Sequence, residues 1–189
     1  MSARFEDDRP LTLSGFLAWE RRQPERYEYV GNEIRMMVGG TVNHARIARN
    51  VTSGLQNALG RCGCEAFQEG LKVVAAEQVH YPDVIVTCTP PDGRSDVVDA
   101  PSLIAEVLSP STANHDLGLK RRNYTTLPSL LAYVVVAQDR MRVVVCARAG
   151  TDWAETTLTH PDEAVTIPAL DLSLPLSEIY RGVDFVTAA

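Results

Sequence analysis

The sequence predicts a mixed α/β (α+β) fold, with a curved central sheet and helices on its flanks. Three observations carry this expectation. Short apolar runs bounded by turn residues recur between Cys64 and Ala147, at strand rather than helix length. One of them, 102–108, is apolar on both faces, the pattern of a central strand. Other segments show helical spacing, the longest with Ile47, Val51, Leu55 and Leu59 four residues apart. At 189 residues the chain reads as one domain, 1–189, with its core over about 12–183.

Residues 12–22 read as a short amphipathic helix that turns Leu13, Phe16, Leu17 and Trp19 inward and is stopped by Pro24. Residues 26–37 read as a hairpin whose turn is Gly31-Asn32. After Gly39-Gly40, Thr41 or Asn43 can cap a long helix that runs to Leu59 and ends at Gly60. Strands are expected at 64–68, 71–75 and 83–88, followed by a surface loop at Pro90-Pro91-Asp92-Gly93. Ser109-Pro110-Ser111-Thr112 breaks the central strand, and 112–126 reads as a helix stopped before Pro128. Residues 131–137 and 142–147 form a second hairpin, 151–159 an edge strand, and 172–180 ends in a short helix.

The composition narrows the partners. Net charge is −6, so no global basic field marks a general nucleic-acid coat. Positive charge is local, at Lys120, Arg121 and Arg122. The polar, acidic start lacks the basic and apolar regions of a signal peptide. No apolar stretch approaches the roughly 20 residues needed to span a bilayer, so the expectation is a cytoplasmic protein without a membrane segment. Cys62 and Cys64 are too close for a zinc knuckle. Cys88 and Cys146 lie in apolar runs and read as small buried hydrophobes, so neither a disulfide nor zinc is expected.

Chemistry enters with two acids in apolar company. Asp83 lies in Tyr81-Pro82-Asp83-Val84-Ile85-Val86, and Glu106 lies in Leu103-Ile104-Ala105-Glu106-Val107-Leu108. An unpaired buried carboxylate costs several kcal/mol, so packing alone does not account for them. On adjacent strands they would aim at one spot and could hold a divalent cation through oxygen. Asp116, Lys120 and Tyr124 follow at four-residue spacing, on one face of the expected helix. Acid, acid and lysine around a metal suit phosphodiester hydrolysis. The bland alternatives are a turn-capping Asp83, a structural ion pair of Glu106 with Arg121 or Arg122, and a surface Lys120.

The chain resembles the Uma-type restriction-endonuclease family, a branch of the PD-(D/E)xK nuclease superfamily. The stretches that carry the resemblance are Arg26 to Ile34, His44, Tyr81-Pro82-Asp83-Val84, Glu106-Val107-Leu108-Ser109-Pro110-Ser111-Thr112, and Asp116, Lys120 and Tyr124. Leu130 to Arg148 and Leu174 to Tyr180 resemble the family too. The resemblance implies a restriction-endonuclease-like mixed sheet and roles for named residues. Asp83 and Glu106 would be the metal ligands, for Mg²⁺ or Mn²⁺. Leu108 occupies the usual lysine position, two residues after the second acid, so Lys120 would supply the amine from a migrated position. Glu28 would complete the catalytic set. His44 matches a recurrent position, with a catalytic, capping or packing role left open.

The implied function is divalent-metal-dependent endonucleolytic cleavage of DNA. One alternative is a catalytically silent nuclease-fold module that binds DNA or regulates a partner. Another is a metal-dependent hydrolase of small phosphates. A homodimer is expected on two grounds. The apolar 131–147 hairpin needs cover, and cutting two strands favours two sites related by a two-fold.

Overall fold

A computed structural model describes residues 12–59, 63–108 and 116–185, without the side chains of Asp116 and Leu117. Thr12 caps α1 (Leu13–Glu20), its hydroxyl accepting from the Gly15 N–H at 3.1 Å. Phe16 is buried, and Leu13, Leu17 and Trp19 pack beside it against Tyr29, Val79 and Tyr81. β1 (Tyr27–Val30) and β2 (Glu33–Met36) form the expected hairpin. Gly31 and Asn32 both take positive φ at its turn, the residue pair such a two-residue loop demands.

Thr41 caps α2 (Val42–Leu59), its hydroxyl accepting from the His44 N–H at 3.1 Å. Ile47, Val51, Leu55 and Leu59 are all buried, as their spacing predicts. The expected stop at Gly60 lies outside the described residues. β3 (Glu65–Gln68), β6 (Val84–Thr87), β7 (Pro101–Leu108), β8 (Ala132–Ala137), β9 (Val143–Ala149) and β10 (Asp152–Leu158) make a six-stranded sheet in the order β10-β9-β8-β7-β6-β3. All its pairings are antiparallel except β7 with β8.

The two faces of this sheet follow from strand alternation. Val84, Val86, Leu103, Ala105 and Val107 pack on α2 and on the pair β11 (Ala164–Ile167) and β12 (Leu172–Pro175). Ile85, Ile104, Tyr133 and Val135 face the other way, towards Tyr124 and Leu130. A parallel pair needs a crossover. Here it contains a π-helical turn (Asp116–Lys120) that runs into α3 (Arg121–Tyr124). The expected α-helix at 112–126 is therefore corrected within the described residues to a widened turn plus one α turn. Gly118 sits in that turn and has little helix preference to resist the widening. The expected break at 109–112 and the start of the helix lie outside the described residues. α4 (Leu176–Ile179) closes the fold near the C-terminal end.

Three further expectations are corrected. β4 (Val73–Ala75) and β5 (Gln78–His80) form an unforeseen hairpin, and β5 joins β1 in a second sheet ordered β2-β1-β5-β4. Its turn residues Ala76 and Glu77 have positive φ without being glycine or asparagine, so the usual signal is missing. The apolar 131–147 hairpin is not uncovered: β8 is buried throughout, and the edge strand β10 presents mainly exposed residues. That ground for a homodimer falls away.

The third correction concerns cysteine. Cys64 and Cys88 form a disulfide, and Cys88 is exposed rather than a buried hydrophobe. Glu65 pairs with Thr87 across β3 and β6, and the next rung sets the two cysteines face to face. Only the strand register brings them together. Cys146 is free and buried, as expected, and Cys62 lies outside the described residues. Among the described residues no helix is long and apolar enough to cross a membrane.

A buried lysine that the sequence reading passed over ties α1 to this framework. Lys72 is 2% exposed, with its amine 2.9 Å from Glu20 Oε2 and 2.6 Å from Asp96 Oδ2. Tyr81 donates to the same Glu20 carboxylate. The Lys72 amine holds the Asp96 carboxyl below its ordinary value of 3.8. A depressed carboxylate stabilises the fold above its unfolded-state value, and that contribution is lost as pH falls through the folded-state value. Asp96→Asn is therefore expected to be less stable than wild type at pH 7, with the gap closing as pH is taken below about 4. Urea unfolding at pH 7 and pH 3 checks this, and a gap unchanged between them would sink it.

Candidate active site

Strand register assembles an acidic row. Gln68 pairs with Val84, and on the next rung the Glu69 N–H donates to the Asp83 carbonyl at 2.9 Å. Val84 pairs with Ala105, so the following rung sets Asp83 against Glu106. The Val107 N–H donates to Asp83 Oδ2 at 2.6 Å and fixes that carboxylate beside β7. Glu69, Asp83 and Glu106 thus stand side by side on β3, β6 and β7 or their immediate extensions.

Glu106 is 4% exposed and shares its face of β7 with Ile104, which packs in the apolar cluster around Tyr124 and Tyr133. A carboxylate there must be paired. Lys120 Nζ lies 3.1 Å from Glu106 Oε1, and the Tyr124 hydroxyl donates to the same oxygen at 3.0 Å. Burial pushes the Tyr124 phenol well above its ordinary range, so it stays a protonated donor. Lys120 also lies 3.0 Å from Glu28 Oε1, an oxygen that accepts the Tyr81 N–H at 3.0 Å. The lysine is itself buried, held between a β1 acid and a β7 acid.

On the far side of the row, His44 Nε2 lies 3.3 Å from Asp83 Oδ2. The hydrogen bond to Asp83 outweighs the opposing effect of burial and raises the His44 pKa above 6.5. Glu69 completes this group: one ligand atom each from His44, Glu69 and Asp83 lie within 4.8 Å of one another. The donor set, carboxylate oxygens with one imidazole nitrogen, is chemically suited to a divalent ion.

Each residue singled out from sequence can now be placed. Glu28, Glu106 and Lys120 converge directly. Asp83 joins them through the β6–β7 register and turns its carboxylate to Val107 and His44. Of the two rival partners for Glu106, Arg121 and Arg122, Arg121 reaches Glu155 on β10. Any support of Lys120 by Asp116 lies outside the described side chains. The sequence places Tyr124 on the Lys120 face without giving it a role, and it leaves Glu69 unmarked. Tyr124 had a signal, its four-residue spacing from Lys120. Glu69 had none, because it sits in a turn with φ +50° and touches Asp83 only through sheet pairing.

Comparison with known proteins now adds to this geometry. A family model, Uma2, described as "Putative restriction endonuclease", matches residues 13–177. The uncharacterized protein slr1290 of Synechocystis sp. (strain PCC 6803) is 34% identical over 179 residues, covering 93% of this chain and 94% of its own. A second uncharacterized protein of the same strain, sll1609, is 33% identical over 154 residues, covering 78% of this chain and 87% of its own. Among solved structures, "a putative nuclease belonging to DUF820" from Anabaena variabilis superposes with a TM-score of 0.73 at 19% identity. That match covers 90% of this chain and 98% of the other, and it speaks for the fold.

Proposed function

Because this chain belongs to the Uma2 family, described as "Putative restriction endonuclease", we propose that it is a divalent-metal-dependent endonuclease that hydrolyses DNA phosphodiester bonds. The observation that carries the reading is the 3.1 Å contact between Lys120 and Glu106. It supports the migrated lysine, because Leu108 stands where the usual motif places that residue. The crossover between the parallel strands β7 and β8 supplies the mechanical reason. It returns the chain over the same face of β7 that presents Glu106.

Asp83 and Glu106 would hold Mg²⁺ or Mn²⁺, which when bound polarises the scissile phosphate and lowers the pKa of a water ligand. The protein's own part is positioning. Tyr124 and Lys120 hold the Glu106 carboxylate in one orientation, and Val107 holds that of Asp83. Glu28 braces the Lys120 amine, which can orient the attacking water and offset charge developing on the phosphate oxygens. A homodimer would follow from the need to cut two strands, each copy carrying one site.

A plasmid-nicking assay with Mg²⁺ or Mn²⁺ tests the reading. The expected result is metal-dependent nicking by wild type that falls by about 10²-fold or more in Glu106→Ala, the scale of losing one electrostatic group at a reacting centre. Cleavage that survives this change would mean a wrongly assigned site. No cleavage of supercoiled, linear duplex or single-stranded DNA would favour the silent binding module instead.

A further inference from the structure

Asp83 Oδ2 takes the Val107 N–H and also lies against His44 Nε2, and the catalysis proposed above gives the His44 contact no task. There His44 comes from the first turn of α2, Glu69 from the turn after β3, and Asp83 from the entry to β6. Three separate elements thus deliver one nitrogen and two carboxylate oxygens to a single point within 4.8 Å. His44 and Asp83 are half-buried, and Glu69 is exposed. The opening to solvent on the Glu69 side leaves room for an ion to keep water ligands.

The backbone around His44 is shaped to its ring. A Cβ on Gly40 would lie 2.8 Å from both Cγ and Nδ1 of His44. Glycine at that position therefore lets the 39–41 segment lie against the imidazole, which limits the ring's freedom while Nε2 faces Asp83. The His44 N–H is held by Thr41. A ligand ring constrained from behind is what a preorganised metal site requires.

We propose that His44, Glu69 and Asp83 form a divalent-cation site of their own, sharing Asp83 with the Asp83–Glu106 pair and favouring Mn²⁺ over Mg²⁺. The preference follows from the nitrogen ligand. Mg²⁺ takes oxygen ligands almost exclusively, whereas transition ions accept imidazole readily. The proposal extends the metal-assisted reading to a second position on the shared aspartate. It does not depend on DNA being the substrate.

The test is calorimetric titration of the full chain at pH 8 with Mn²⁺ and with Mg²⁺ alone, alongside the nicking assay. Variants are His44→Ala, Glu69→Gln and Glu106→Gln, each checked for folding by circular dichroism. Glu69→Gln changes an exposed turn residue, so it reports even if His44→Ala perturbs α2. Wild type is expected to bind Mn²⁺ more tightly than Mg²⁺. His44→Ala and Glu69→Gln should each weaken Mn²⁺ by about 10-fold or more, a loss on the scale seen when metal-site residues are removed. Glu106→Gln should lose the Asp83–Glu106 component of Mn²⁺ binding and keep the component that His44→Ala and Glu69→Gln weaken. Mn²⁺ affinity unchanged in both His44→Ala and Glu69→Gln overturns the proposal, and nicking that persists in them leaves the nuclease reading standing. Mn²⁺ binding that depends on His44 and Glu69, with no nicking under any condition, does the reverse. A folded wild type that binds no Mn²⁺ removes the proposal, and one that binds neither Mn²⁺ nor Mg²⁺ removes the nuclease reading as well.

Discussion

Lys120→Met is expected to cut metal-dependent nicking by about 10²-fold or more and to destabilise the fold at the same time. The methionine keeps the length of the stem but removes the amine that lies 3.0 Å from Glu28 and 3.1 Å from Glu106. A buried Glu106 and a half-buried Glu28 then lose the amine they share. Breaking a buried pair by removing one partner costs about 3–5 kcal/mol. At this chain length each kcal/mol lowers Tm by roughly 2–4 °C, so a fall of roughly 6–20 °C is expected by calorimetry. The double variant Lys120→Met/Glu106→Gln should recover part of the stability and none of the nicking, because it removes buried charge without restoring the amine. Full nicking activity in Lys120→Met would sink the migrated-lysine assignment.

The second large effect is expected at the other buried lysine, and it has the opposite functional signature. Lys72→Met removes the cation that satisfies Glu20, itself only 6% exposed. The same physics sets a cost of about 3–5 kcal/mol, read as a shift in the urea midpoint. Nicking per folded molecule should be unchanged, because this network joins α1 and the β4 side of the sheet rather than the acidic row. Glu20→Gln combined with Lys72→Met should recover stability. A loss of nicking at full folding would mean that the two networks are coupled through Tyr81, whose hydroxyl reaches Glu20 and whose N–H reaches Glu28.

These two lysines show what can be read without coordinates. Lys120 follows a carboxylate buried in an apolar run, and that run makes the acid conspicuous. Lys72 sits in Gly70-Leu71-Lys72-Val73, beside nothing that marks it. Its partners are 52 positions earlier and 24 later in the numbering, and no spacing connects them. Glu69 and the Cys64–Cys88 disulfide escaped for the same reason. Each depends on which strand pairs with which, and in what register, across β3 and β6. The β4–β5 hairpin escaped because Ala76 and Glu77 occupy turn positions that glycine or asparagine would normally announce.

The sequence by itself determined the central strand, the capped amphipathic helix α2 and both hairpins whose turns or alternation follow local rules. It also singled out Asp83, Glu106, Lys120 and Glu28, since charge in an apolar run or at a family position is visible in the order of residues. Tertiary structure alone decided how they are shared out. Glu106 goes with Lys120, Glu28 and Tyr124, while Asp83 meets His44 and lies near Glu69. The physical reason is that periodicity reports which face a side chain occupies, over a few residues of chain. Register and crossover direction decide which faces meet, and those are settled by packing among elements far apart in sequence.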